Sequence, residues 1–262
     1  TFPPRVMQRF GWSPTNHAGK APGEIGGYIQ STTRPACYAK VIEGRTMEAP
    51  LSFSGSFALM EGRSISGWHT LAEVNIGFFN SAGQGWRPNN FIGFRLAGSN
   101  EPDGVLVELG YGPRSGAAGG AFLKKTGSQK HEGIVRDMDA SQMFRIAPDA
   151  ARHTFACRYD PAANGGRGEI AMTLDGQSWS LPVLEEHRKA GATFDRFGIF
   201  NQQIPGRAMV VYFDDLEVNG QRDEFAADPQ WEGKGNHDDV EDPVLYGTNG
   251  FGYSPTNFAC GK

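Results

Sequence analysis

Apolar and polar positions alternate with a period of two through much of this chain, the spacing of strands with one buried face. In segment 71–79, Val74, Ile76 and Phe78 fall on one face, with Glu73, Asn75 and Phe79 on the other. Segment 91–96 sets Ile92, Phe94 and Leu96 against Arg95, and segment 105–109 sets Val105, Val107 and Leu109 against Glu108. Segment 53–59 alternates apolar with small residues. The habit continues at 153–159, 168–174, 178–183, 197–201 and 209–213. Asp175-Gly176 between two of these runs is a hairpin signal. Helical patterning is confined to about two turns in 183–190 and one turn in 140–145. The expected core is Val74, Ile76, Phe78, Ile92, Phe94, Leu96, Val105, Val107, Phe155, Ile170 and Leu174.

Many strands with almost no helix predict an all-β fold: a two-sheet antiparallel β-sandwich (jelly roll) with long glycine-rich loops at 110–121, 124–139 and 226–253. Asn75-Ile-Gly-Phe-Phe-Asn80 is echoed by Phe197-Gly-Ile-Phe-Asn201. Glycine within a strand marks a bend or a close approach, so the pair reads as two similar central strands that bend.

Composition agrees: Gly 36 and aromatics at 11% in 262 residues fit strands joined by tight turns. The net charge of -4 comes with scattered basic residues, and no stretch combines Lys/Arg with aromatics. Nucleic acid and anionic membrane are therefore not expected partners. No apolar run reaches the length that spans a bilayer. Cys37, Cys157 and Cys260 are odd in number and lack a Cys-x-x-Cys spacing. That spacing is the one a zinc knuckle or dithiol centre uses. Cys157, in an apolar run, reads as a small buried hydrophobe.

A repeat governs organisation. Phe10-Gly-Trp-Ser-Pro-Thr-Asn16 returns as Phe251-Gly-Tyr-Ser-Pro-Thr-Asn257, and both copies run on to Gly-Lys. Either the chain is one module of a tandem array, with neighbouring modules as partners, or two similar terminal segments meet in space. The expected division is an N-terminal repeat element and lead-in at 1–30, a jelly-roll domain at 31–225, and a linker with the second copy at 226–262.

His153-Thr-Phe-Ala-Cys-Arg-Tyr-Asp160, the Asn164-Gly-Gly166 turn and Glu169-Ile-Ala-Met-Thr-Leu-Asp-Gly176 together resemble a laminin-G-like hairpin of the concanavalin A-like lectin/glucanase superfamily. Phe213-Asp-Asp-Leu-Glu-Val218 resembles the strand that closes many such domains. Asp228-Pro-Gln-Trp231 with the second repeat copy resembles linking segments of large secreted bacterial proteins. The resemblance spans roughly residues 50–225. It implies a carbohydrate-directed jelly roll, extracellular or periplasmic, whose partner is a polysaccharide or oligosaccharide. Hydrolases of that superfamily carry Glu-x-Asp-x-x-Glu on one strand, a pattern this sequence does not have. Alginate-lyase-like jelly rolls carry a Tyr-x-Asn-Gln strand, echoed only by Phe200-Asn201-Gln202.

From the residues themselves, Glu73 and Glu108 are the candidate acid–base pair if their strands are neighbours. The competing reading pairs both with Arg95. Asn75, Arg95 and Gln202, with Trp68, His69, Trp86 and Arg87 from adjacent loops, are the candidate glycan contacts: aromatic faces stack on sugar rings while Arg, Asn and Gln bond hydroxyls and carboxylates. No cofactor is indicated by motif. Asp214 and Asp215 are candidate ligands of a structural calcium ion, since carboxylates suit that ion, or caps of turn amides. A polysaccharide bound on the concave face is the leading expectation. A glycan-cleaving hydrolase or lyase, and a structural repeat module of a cell-surface protein, are the alternatives.

Overall fold

The computed structural model describes residues 6–62, 72–83, 88–98, 104–116, 118–132 and 139–240. The second repeat copy lies outside them. In chain order the strands are β1 (Val6–Met7), β2 (Arg9–Ser13), β3 (Glu24–Gln30), β4 (Cys37–Thr46), β5 (Leu51–Glu61), β6 (Glu73–Phe79), β7 (Phe91–Ala97), β8 (Val105–Gly112), β9 (Gly119–Leu123) and β10 (Ser128–Glu132). They continue as β11 (Arg145–Ile146), β12 (Arg152–Asp160), β13 (Glu169–Leu174), β14 (Gln177–Pro182), β15 (Thr193–Asn201), β16 (Ala208–Val218), β17 (Gln221–Asp223), β18 (Glu232–Lys234) and β19 (Asp239–Val240). Helix is limited to α1 (Ala163–Gly166), α2 (Glu185–Ala190) and one 3-10 turn at Ala140–Gln142.

Two antiparallel sheets form a β-sandwich. The larger runs β10-β9-β8-β7-β6-β15-β4-β18, with β11 added against β8. The smaller runs β14-β13-β12-β5-β16-β3-β2, with β17 on β16. Phenylalanines tie the layers together. Phe53 of β5 meets Phe78, Phe94 and Phe197 of the larger sheet at ring-centroid distances of 5.8, 6.1 and 5.1 Å. Burying each such ring contributes about 1.5–3 kcal/mol. Every residue of the expected core is buried. At the β13–β14 hairpin, Asp175 (φ 48°) and Gly176 (φ 80°) adopt the left-handed pair of a two-residue turn whose twist matches the strands.

The sandwich is wider than the span 31–225. β2 pairs β3, and β3 pairs β16 inside the smaller sheet. Beyond residue 225, β18 pairs β4 at the edge of the larger sheet, and Trp231 packs on Phe225 and Tyr38 at 5.5 and 5.9 Å. The boundaries at 30/31 and 225/226 therefore cut through bonded structure, and 226–240 is not linker. The first repeat copy is built into this frame: Phe10 is buried in β2, and the loop after it folds around Glu24. The fully buried Glu24 carboxylate accepts from the Thr15 hydroxyl and from the amides of His17 and Ala18 at 3.0 and 2.7 Å. Segment 124–139, expected as loop, contains β10, which pairs β9 in register.

Candidate site on the outer face of the larger sheet

Strand parity decides what this face presents. The residues of β6 and β7 that alternate with the core set face away from the smaller sheet. The echoed segments are neighbours, for β6 pairs β15 with Gly77 opposite Gly198. Gly93, Gly110 and Gly120 continue that register, giving a line of glycines across β15, β6, β7, β8 and β9. At Gly77 and Gly93 a Cβ would fall on the Ile92 and Ile76 carbonyl oxygens of the adjoining strand. Only glycine permits that approach. Gly110 is different: the nearest atoms to a Cβ there are the Gly119 carbonyl oxygen at 3.7 Å and the Phe91 ring at 4.0 Å.

Beside the glycine line runs a second row in register: Phe200, Asn75, Arg95, Glu108 and Phe122. Arg95 lies between two carboxylates, donating through Nη1 to Glu73 at 3.2 Å and through Nη2 to Glu108. The three side chains are only 12%, 7% and 8% exposed. Burial alone would disfavour the Arg95 charge. Glu108 and Glu73 outweigh it and hold the guanidinium above its ordinary range. Both terminal nitrogens are engaged by the chain, and Glu73 and Glu108 take the Arg-paired arrangement. Gln202 carries the ladder one residue past β15, its amide donating to the Glu73 carbonyl at 3.3 Å. Asn75 Nδ2 donates to Gln202 Oε1 at 3.3 Å, while Gln202 Nε2, wholly buried, has no hydrogen-bond partner.

Asn75, Arg95 and Glu108 line one cleft with Pro88, Phe91, Gly110, Tyr111, Ala118 and Gly119. Phe91, Gly110 and Tyr111 were missed from sequence. The signal for Gly110 is a glycine between apolar strand residues. Phe91 leans toward Phe200 at 5.5 Å, and Phe200 toward Phe79 at 4.6 Å, forming a buried aromatic cluster beside the cleft. Trp68, His69, Trp86 and Arg87 lie outside the described residues.

Asp214 and Asp215 sit on β16 in the other sheet. Asp215 (φ 52°) is taken by two guanidiniums, Arg152 at 2.5 Å and Arg222 at 3.2 Å. Asp214 accepts the Asp215 amide at 2.6 Å, and burial pushes its carboxyl upward. These are the bonds of an ion pair and a turn cap, and two arginines already supply the positive charge a calcium ion would bring. The donor set therefore does not fit that ion. One further group was not foreseen. Glu132, Glu186 and His187 bring ligand atoms within 4.8 Å of one another. There the buried His187 is engaged through Nδ1 by the Tyr111 hydroxyl at 3.0 Å. Cys37 and Cys157 are both free thiols, and burial raises both. No helix among the described residues is long and apolar enough to cross a membrane.

No family model and no curated protein matches this chain. Among solved structures it is similar to an alginate lyase from Klebsiella pneumoniae, at 16% identity and a TM-score of 0.37, over 65% of this chain and 59% of that one. It is similar to a PL7 alginate lyase from Zobellia galactanivorans at 12% identity and 0.38, over 69% and 65%. The carbohydrate recognition domain of Emp47p aligns at 12% identity and 0.37, over 82% and 94%. The chain spans less than two thirds of the length of either lyase. At these identities and scores the likenesses assign no activity and no ligand to this chain.

Proposed function

We propose that this chain binds a polysaccharide or oligosaccharide on the outer face of the larger sheet, in the cleft lined by Asn75, Phe91, Arg95, Glu108 and Gly110. The observation that carries the reading is the meeting, in one cleft, of fixed polar groups and an aromatic side chain beside a bare glycine. A sugar ring offers an apolar face and a rim of hydroxyls. A site for it needs a surface to stack on and a few rigid donors and acceptors. Rigidity is supplied by the Arg95 ion pairs, which hold the side chains before a ligand arrives. Binding is favoured over cleavage by paired carboxylates, because Glu73 and Glu108 both hold the same guanidinium. The same reading sets the chain in an extracellular or periplasmic setting, where polysaccharides are met.

The test is a glycan panel read with the intact chain and with Gly110→Leu. A Cβ at 110 meets nothing closer than 3.7 Å and the rest of the leucine projects into the cleft, so capture should fall at least tenfold, with the thermal transition checking that the fold is kept. A chain that captures no glycan, or captures one equally after Gly110→Leu, refutes the proposal.

A further inference from the structure

Resting on the glycan reading, we infer that this cleft takes uncharged saccharides and rejects those bearing a uronate carboxylate. Arg95 is the one cation among the described residues that line the cleft. Proteins recognise a carboxylate through the paired donors of a guanidinium. Here each terminal nitrogen already faces a carboxylate of the chain. Nη1 is directed at Glu73 and Nη2 at Glu108, from a side chain only 12% exposed. A ligand carboxylate at Arg95 competes with those glutamates for a charge they already offset. Breaking a buried ion pair is strongly unfavourable, and an approaching anion also meets the carboxylates that hold the guanidinium. Together these amount to a discrimination of about a hundredfold or more.

What the cleft offers instead is neutral. Asn75 lines it, and its amide leans on Gln202, whose Nε2 is a wholly buried donor with no hydrogen-bond partner. A donor in that condition is matched by a hydroxyl or carbonyl oxygen, or by a water bridging to one. Specificity of this kind comes from repulsion as much as from attraction. Glu108, which lines the cleft, provides the repulsive element, and Asn75 the attractive one.

The experiment is isothermal titration of the intact chain with neutral gluco- and manno-oligosaccharides and with oligogalacturonate and oligoalginate of equal length. Glu108→Ala and Glu73→Ala follow, each releasing one terminal nitrogen of Arg95. A neutral probe should bind at least a hundredfold more tightly than any uronate. Either variant should narrow that gap at least tenfold by gaining uronate affinity. Uronates bound as tightly as neutral probes by the unaltered chain overturn the inference and leave the glycan reading standing. Binding of no saccharide overturns the glycan reading itself. Should one variant fail to fold, as seen by its thermal transition, the other and the ordering in the unaltered chain still decide.

Discussion

Replacing Arg95 by Met removes the charge at the centre of the Glu73–Arg95–Glu108 group while keeping an unbranched side chain. At an effective dielectric of about 20, unit charges at the 3.2 Å of the Arg95–Glu73 contact attract by about 5 kcal/mol before desolvation is counted. Desolvation has already been met by all three side chains, none more than 12% exposed, and the two glutamates stay in place after the substitution. Breaking a buried pair in this way costs about 3–5 kcal/mol. In a domain of this size each kcal/mol lowers Tm by about 2–4 °C, so Arg95→Met should lower it by roughly 6–20 °C. The assay is thermal unfolding followed by circular dichroism, with urea titration for the free energy. The control is Arg95→Met combined with Glu73→Gln and Glu108→Gln, which removes the stranded charges and should regain most of the loss. A single substitution that costs under about 1 kcal/mol, or a triple variant no better than the single, refutes the buried-triad reasoning.

Gly93→Ala should destabilise by about 1–3 kcal/mol, since its Cβ meets the Ile76 carbonyl oxygen, whereas Gly110→Ala should be neutral or mildly stabilising; equal effects in urea titration would contradict the register. Glu24→Ala should cost about 1–3 kcal/mol for each amide it leaves without an acceptor, at His17 and Ala18, and should free that loop to amide hydrogen exchange. Burial pushes the Tyr159 hydroxyl, which donates to the Met47 carbonyl at 2.9 Å, up to about 12 from 10.0. The unfolded chain then loses that proton first, so this contribution is intact below pH 10 and is lost as pH rises toward about 12. Tyr159→Phe should flatten the alkaline fall in stability, and an unchanged slope would count against it.

Strands with one face on the core and one face toward a cleft were legible because their polar members break the apolar run at every second residue, as Glu73 and Asn75 do in β6. β3 was not legible. Glu24-Ile-Gly-Gly-Tyr-Ile-Gln30 is buried almost throughout, so no alternation marks it, and Gly26 and Gly27 carry the backbone against β16 and β2. Short edge strands such as β18 take their identity from the partner they meet, and a sequence window holds no trace of β4. At the site, parity placed Glu73, Asn75, Arg95 and Glu108 on one face. The pairing of both glutamates with Arg95 was one of the readings the sequence left open, because the choice depends on which strands adjoin. Phe91 shares the parity of Arg95, but its turn toward the glycine line depends on what stands opposite it.

The line formed by Gly77, Gly93, Gly110, Gly120 and Gly198 bears on ancestry. Gly77, Gly93 and Gly198, spread over more than a hundred residues of chain, answer to a single three-dimensional constraint, the close approach of neighbouring backbones on one sheet face. Matching by overall identity weighs each of them as one residue among 262. Distant descendants of the same ancestor should keep small residues at these places after the apolar core has been exchanged many times over. A search for five glycines at matching intervals, each inside a strand-like run, would gather kin that share this sheet. Whether the Arg–Glu–Glu group travels with the glycines would then separate those that kept the cleft from those that kept only the frame.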